Sequence, residues 1–169
     1  LAAFPKPTIA RIEGACVGGG CGVALSCDLR LAAEGSRFAI TPAKLGLTYT
    51  LNDTKRLIDA VGVSYAKDML YSGRLLDAEE ALRIGLINRR VPTDELDASI
   101  AAYADGLAET SSHSARMTKK IVSLIRSGVD ADTDETRQIF LDAFQGEDFQ
   151  EGYRAFLEKR KRKFPGGKG

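Results

Sequence analysis

The sequence predicts a mixed α/β fold with a helical C-terminal region, and three observations carry that expectation. Short β-type runs bracket the glycine cluster Gly18-Gly19-Gly20 early in the chain. Apolar residues recur at helical spacing from Leu96 onward. With 44% hydrophobic and 28% charged residues over 169 positions, the chain can fill a core.

The elements follow in order. Residues 8–12 form a β-type run, Glu13-Gly14 turns the chain, and Ala15-Cys16-Val17 leads as a second strand into the glycines. Residues 21–26 are small and suit a tightly buried helix. Residues 29–33 and 36–40 are the next strands, the latter ended at Thr41-Pro42 because proline removes a ladder donor. Asp53 or Thr54 can cap a helix that stops at Gly62, and Ser64 can cap another carrying Tyr65, Met69 and Leu70. Asp77 with Glu80 has the spacing of a capping box, Gly85 closes that short helix, and residues 86–91 are strand-like. Beyond Pro92, apolar stripes run through Leu96, Ile100, Tyr103 and Leu107, through Met117, Ile121, Leu124 and Ile125, and through Ile139, Phe140, Ala143 and Phe144. Such stripes are core or subunit-packing faces.

A formal net charge of +1 leaves no global field that would draw the protein to nucleic acid, a membrane or an acidic polymer. Basic character is local, with Arg154, Lys159, Arg160, Lys161, Arg162, Lys163 and Lys168 crowding the C-terminus as either a solvated tail or a phosphate site. The three cysteines, Cys16, Cys21 and Cys27, form no Cys-x-x-Cys pair, so neither a metal centre nor a disulfide framework is expected. Buried free thiols suit a reducing compartment, the cytoplasm or an organelle matrix. The N-terminus has no signal-peptide layout, and the apolar runs are too short to span a bilayer.

Chemistry concentrates at the glycines. Three in succession between a strand and a helix let a ligand approach the peptide plane, with free N–H groups pointing outward. Neither the Walker pattern nor G-x-G-x-x-G is present. A phosphate, a developing enolate oxygen, or simply a tight turn under close packing all suit the glycines alone.

The segments Lys6-Pro7-Thr8-Ile9-Ala10, Glu13-Gly14, Gly18-Gly19-Gly20-Cys21 and Cys27-Asp28 resemble the signature of the crotonase (enoyl-CoA hydratase/isomerase) superfamily. The resemblance continues through Phe38, Lys44-Leu45-Gly46-Leu47, Arg56-Leu57, Gly62, Ser72-Gly73-Arg74, Gly85-Leu86-Ile87 and Val91-Pro92 to Phe156-Leu157-Glu158-Lys159-Arg160. It implies a spiral of ββα units over residues 1–92 and a helical trimerisation and CoA-covering region over 93–169. It also implies an N-terminal part of the family domain absent from this chain, and a homotrimer or dimer of trimers when full length. The implied substrate is an acyl-CoA thioester, with coenzyme A as part of the substrate and no separate cofactor. Its carbonyl oxygen would sit between two backbone N–H groups. Gly19 matches the second donor, between Gly18 and Gly20, and the first lies upstream of Leu1.

The hydratases resembled here use two glutamates, and those positions are Gly22 and Pro42 in this chain. Neither can exchange a proton. An aspartate used elsewhere in the superfamily falls on Thr50. The run Thr41-Pro42 followed by Tyr49 looks most like the methylmalonyl-CoA decarboxylase branch, in which Thr41 and Pro42 would line the acyl group and Tyr49 would hydrogen-bond the departing carboxylate. That branch generally keeps a glutamate at the position of Gly22 and flanks its tyrosine with Pro and Asn, where this chain has Thr48 and Thr50. Loss of carbon dioxide needs no base. The resemblance further places Phe156 and Lys159 beside the adenine and phosphates of coenzyme A. Hydration by non-standard residues, and a catalytically silent acyl-CoA-binding or assembly protein, are the alternatives. Asp28 is expected as a structural hydrogen-bonding residue, Asp53 as a helix cap, and His113 as part of a solvent-exposed cap region.

Overall fold

The computed structural model describes residues 1–165, so Lys168 of the basic cluster lies outside the described residues. The chain divides into two compact units, one of Leu1–Phe4 with Thr8–Ile100 and the other of Pro5–Pro7 with the chain from Ala101 onward.

In the first unit, β1 (Ile9–Ile12) and β2 (Ala15–Val17) are separated by Gly14, whose φ of 77° is open to glycine at little cost. Gly14 sends the two strands into different sheets. β1 pairs in parallel with β3 (Leu29–Ala33), and β3 with β6 (Arg89–Val91). β2 pairs in parallel with β4 (Arg37–Ala39), which meets β5 (Leu76–Asp77) antiparallel. Parallel neighbours need a crossover. Helix α1 (Gly19–Leu25) lies in the crossover from β1 to β3 and in that from β2 to β4.

Side chains alternate across β3 as a strand period requires. Ala32 belongs to the main core with Phe38, Ile40, Leu57, Met69, Leu76, Leu86 and Ile87. Leu31 and Ala33 belong to a second cluster with Leu96, flanked by Ile9, Leu29, Val91 and Ile100. Both faces of this parallel sheet are therefore covered. Buried Arg30 donates Nε to the Leu86 carbonyl at 2.7 Å and a terminal nitrogen to the Cys27 carbonyl at 3.1 Å, satisfying two acceptors in the core.

Helix α2 (Leu51–Ser72) is one element with a break at Gly62 (φ 75°, ψ 165°), and neither Asp53, Thr54 nor Ser64 caps it. Thr50 does, its side chain accepting the Asp53 N–H and its hydroxyl donating to Asp53 Oδ2. The capping box expected at α3 (Ala78–Arg83) is only half formed. Asp77 accepts the Glu80 N–H, while the Glu80 carboxylate is taken by Arg74, which also holds Asp68. A bidentate guanidinium outcompetes a single backbone N–H for that carboxylate. Residues 86–88 are not strand, because Leu86 and Ile87 turn into the core before β6 begins at Arg89.

Helix α4 (Leu96–Ala108) starts in the first unit and runs into the second, which also contains α5 (Ser112–Arg126), α6 (Asp134–Gln145) and α7 (Glu147–Leu157). Ser111 caps α5, and Thr133 with Thr136 forms a reciprocal box at α6. The expected apolar stripes are helical, but among the described residues α5 and α6 bury none of their side chains fully. Phe140, Phe144, Phe149 and Tyr153 make an edge-to-face and stacked series with centroids 5.1, 5.1 and 6.2 Å apart, and all four are exposed. No described helix is long and apolar enough to cross a membrane.

Candidate active site

The site in the first unit is built around the Val17-to-Gly22 turn. Gly18 sits at φ 55°, ψ −116°, a conformation closed to residues with a Cβ, and donates its N–H to the Ala39 carbonyl at 2.8 Å. That bond ties the turn to the end of β4. Among the described residues no acceptor takes the Gly19 or Gly20 N–H, and both glycines are exposed. A Cβ at Gly19 would meet no atom within 4 Å, so a ligand can reach this peptide plane.

Three polar side chains from elsewhere converge on this turn. Thr41, two residues past β4, places Oγ1 3.5 Å from where a Gly18 Cβ would stand. Tyr49 donates its hydroxyl to the Gly18 carbonyl at 3.1 Å. Burial pushes the Tyr49 phenol well above its ordinary value, with the nearby Cys21 and Asp53 adding to the effect, so Tyr49 is neutral. Asp53, in the first turn of α2, lies beside buried Gly22. A Cβ on Gly22 would fall 3.0 Å from the Tyr49 hydroxyl and 3.5 Å from both Cγ and Oδ1 of Asp53. Asp53 Oδ1 accepts from Arg56 at 3.0 Å and Oδ2 accepts from Thr50 at 2.8 Å.

Gly18, Gly19, Gly20, Thr41 and Tyr49 are thus brought together, and Pro42 opens the 3-10 turn Pro42–Leu45 next to Thr41. Asp53 was expected only as a helix cap. Nothing in the sequence connects it with Gly22, since only the packing of α2 against α1 brings the two together. Asp28 is structural as expected, accepting the N–H and hydroxyl of Thr8 at 2.7 and 2.9 Å. The Cys21 thiol is taken up by the Cys16 carbonyl at 2.8 Å. Its contact with the Cys16 thiol, reinforced by burial, pushes the Cys21 thiol up. Among the described residues no cluster of three His, Cys, Asp or Glu could hold a metal ion.

Because Tyr49 and Asp53 fill the space beside Gly22, Gly22→Ala is expected to push the tyrosine off the Gly18 carbonyl at a cost of about 1–3 kcal/mol. Combining it with Tyr49→Phe should recover part of that loss. Chemical denaturation of both singles and the double gives the coupling.

In the second unit, Phe156 and Lys159 line a cleft of about 460 Å³ with Arg160, Lys161, Arg162 and Glu109. Phe156 is 80% exposed. Arg160 is held by Glu151 and Glu158, and Lys161 by Glu109, which Arg162 also faces electrostatically. Lys159 follows α7 at φ 52°, a left-handed conformation found at no other non-glycine among the described residues. Lys159→Gly is therefore expected to raise stability by about 1 kcal/mol, measured by melting curves. His113 departs from expectation. It is half-buried, and its enclosed Nε2 has no hydrogen-bond partner among the described residues. Nearby, the Ser111 hydroxyl donates to Asp148 at 2.5 Å, joining the start of α5 to α7.

Residues 1–167 match the family model of enoyl-CoA hydratase/isomerase. The chain is 39% identical over 165 residues to an enoyl-CoA hydratase of Mycobacterium bovis, covering 97% of this chain and 64% of that protein. It is 32% identical over 166 residues to the methylmalonyl-CoA decarboxylase of Escherichia coli, covering 96% and 64%. The structure of an enoyl-CoA hydratase/isomerase family protein from Hyphomonas neptunium matches with a TM-score of 0.93 at 46% identity, over 96% of this chain and 62% of that one. The chain thus spans less than two thirds of these relatives' lengths, and hydratases outnumber decarboxylases among the relatives. The αβ crossovers around α1, the glycine turn they present and these matches together make the chain a member of the enoyl-CoA hydratase/isomerase family.

Proposed function

We propose that the first unit carries part of an acyl-CoA thioester site that stabilises an enolate, with the Gly19 N–H as one donor to the thioester oxygen, and that its reaction is decarboxylation. The observation that carries this reading is a Gly19 N–H with no acceptor among the described residues, on a turn whose Gly18 carbonyl holds a neutral Tyr49, while Gly22 and Pro42 can take no proton. Breaking the carboxylate C–C bond sends its electron pair through the α-carbon onto the thioester oxygen, so no base is required. Thr41 and Pro42 would line the acyl group. Tyr49 would turn its hydroxyl from the Gly18 carbonyl to the departing carboxylate. Phe156 and Lys159 are assigned to the adenine and phosphates of coenzyme A, Lys159 as a point charge.

Hydration is the second reading, favoured by the prevalence of hydratases among the relatives. The deciding experiment offers methylmalonyl-CoA and crotonyl-CoA to the protein in its full natural length. Decarboxylation with negligible crotonyl-CoA turnover supports the proposal. Hydration at ordinary enzyme rates overturns it, and binding without turnover of either points to a silent acyl-CoA-binding protein. A homotrimer is the proposed assembly, supported by the exposed aromatic series of α6 and α7, and light scattering of the same sample tests it.

A further inference from the structure

Decarboxylation leaves an enolate whose α-carbon must receive a proton, and Gly22 and Pro42 carry none. Around the turn, the Cys21 thiol is committed to the Cys16 carbonyl, and the Tyr49 phenol is held neutral by burial. Asp53 remains. Its Oδ1 lies 3.5 Å from the point where a Gly22 side chain would begin, in the same small space as the Tyr49 hydroxyl. Its side chain is 26% exposed, enough for exchange with water. Arg56 occupies one lone-pair position on Oδ1 and Thr50 one on Oδ2, so each oxygen retains another. Arg56, 24% exposed, fixes the carboxylate over Gly22 as a rotamer lock.

The geometry points to Asp53 as a catalytic carboxylate, delivered from α2 into the space that Gly22 leaves open on α1, which passes a proton to the α-carbon of the enolate. This role rests on the acyl-CoA reading above. The Asp53 O–H bond breaks and an α-carbon C–H bond forms. The enolate electron pair returns from oxygen to carbon, restoring the thioester carbonyl, and the carboxylate regains its proton from water, whose hydroxide combines with the released carbon dioxide as bicarbonate. Run backwards, the same step removes an α-proton from the product thioester, with the electron pair moving onto the oxygen at Gly19.

The reverse step gives a test independent of decarboxylation. Propionyl-CoA is incubated with the full-length protein in deuterated water, and loss of its α-proton signal is followed by NMR. Asp53→Asn is expected to slow exchange by about 100-fold or more, with affinity for propionyl-CoA changed by less than about threefold. Thr50→Ala removes the α2 cap and one hydrogen bond to Asp53 Oδ2 but keeps the carboxylate and its Arg56 bond, and should retain at least about a tenth of the exchange rate. Exchange by Asp53→Asn within about threefold of the parent overturns the proposal, as does an equal loss in Thr50→Ala, which would reduce Asp53 to a support for α2. A parent that binds propionyl-CoA without exchanging its α-protons also overturns it, leaving acyl-CoA binding intact. A parent that does not bind the thioester overturns the acyl-CoA reading as well.

Discussion

Replacing Gly19 with proline is expected to lower acyl-CoA turnover by about 10²–10³-fold while leaving the melting temperature nearly unchanged. Gly19 is the first residue of α1, a position where proline is well tolerated because the N–H it lacks has no helical acceptor. Its N–H is bonded to nothing else among the described residues, so the substitution removes one donor and no structural bond. Gly19→Ala is the matched control, since its Cβ meets open space and its N–H stays. If alanine is tolerated and proline is not, the N–H is the active group. If both lose activity equally, close approach of the ligand is what the glycine provides. Should proline retain full turnover in a folded protein, the enolate assignment to this turn fails.

The largest effect on stability is expected at Gly85, which lies far along the chain from the glycine turn. Gly85 has φ 83°, and a Cβ there would stand 2.9 Å from the Ala60 carbonyl oxygen. The obstacle is backbone in the middle of α2, which cannot swing aside as a side chain could. Left-handed strain and overpacking together should make Gly85→Ala cost roughly 2–5 kcal/mol, a large share of a typical domain's stability. A fall in melting temperature on the order of 10 °C follows, by calorimetry or circular dichroism. Gly35→Ala provides the comparison, because its Cβ would meet nothing within 4 Å, and it should stay within about 0.5 kcal/mol of the parent.

Local chemistry made much of the fold legible. Gly14, Gly62 and Gly85 were turn or stop signals in the sequence, and each takes a positive φ. β4 stops at Ala39, earlier than the end at Thr41-Pro42 that the proline signals. Legibility failed where several residues could do the same job. Thr50, Asp53 and Thr54 are all competent caps, and only the packed start of α2 selects Thr50. Glu80 has a capping-box position, yet Arg74 offers it two stronger bonds. The strand order of the two sheets, β1-β3-β6 and β2-β4-β5, depends on distant partners that local propensity does not encode. The site divides in the same way. The glycine turn is contiguous and carries its own signal, whereas the meeting of Asp53 with Gly22 exists only once the chain has folded around α1.

The corner at Gly14 bears on how this unit folds. Because β1 and β2 leave that corner into separate sheets and regain parallel partners in β3 and β4, both pairings close across the α1 segment. The chain entropy of closing that loop is incurred once for two sheets. A nucleus containing β1 to β4 together is therefore the expected outcome. Amide protons of Ala10 and Cys16, in different sheets, would then gain exchange protection in one kinetic phase.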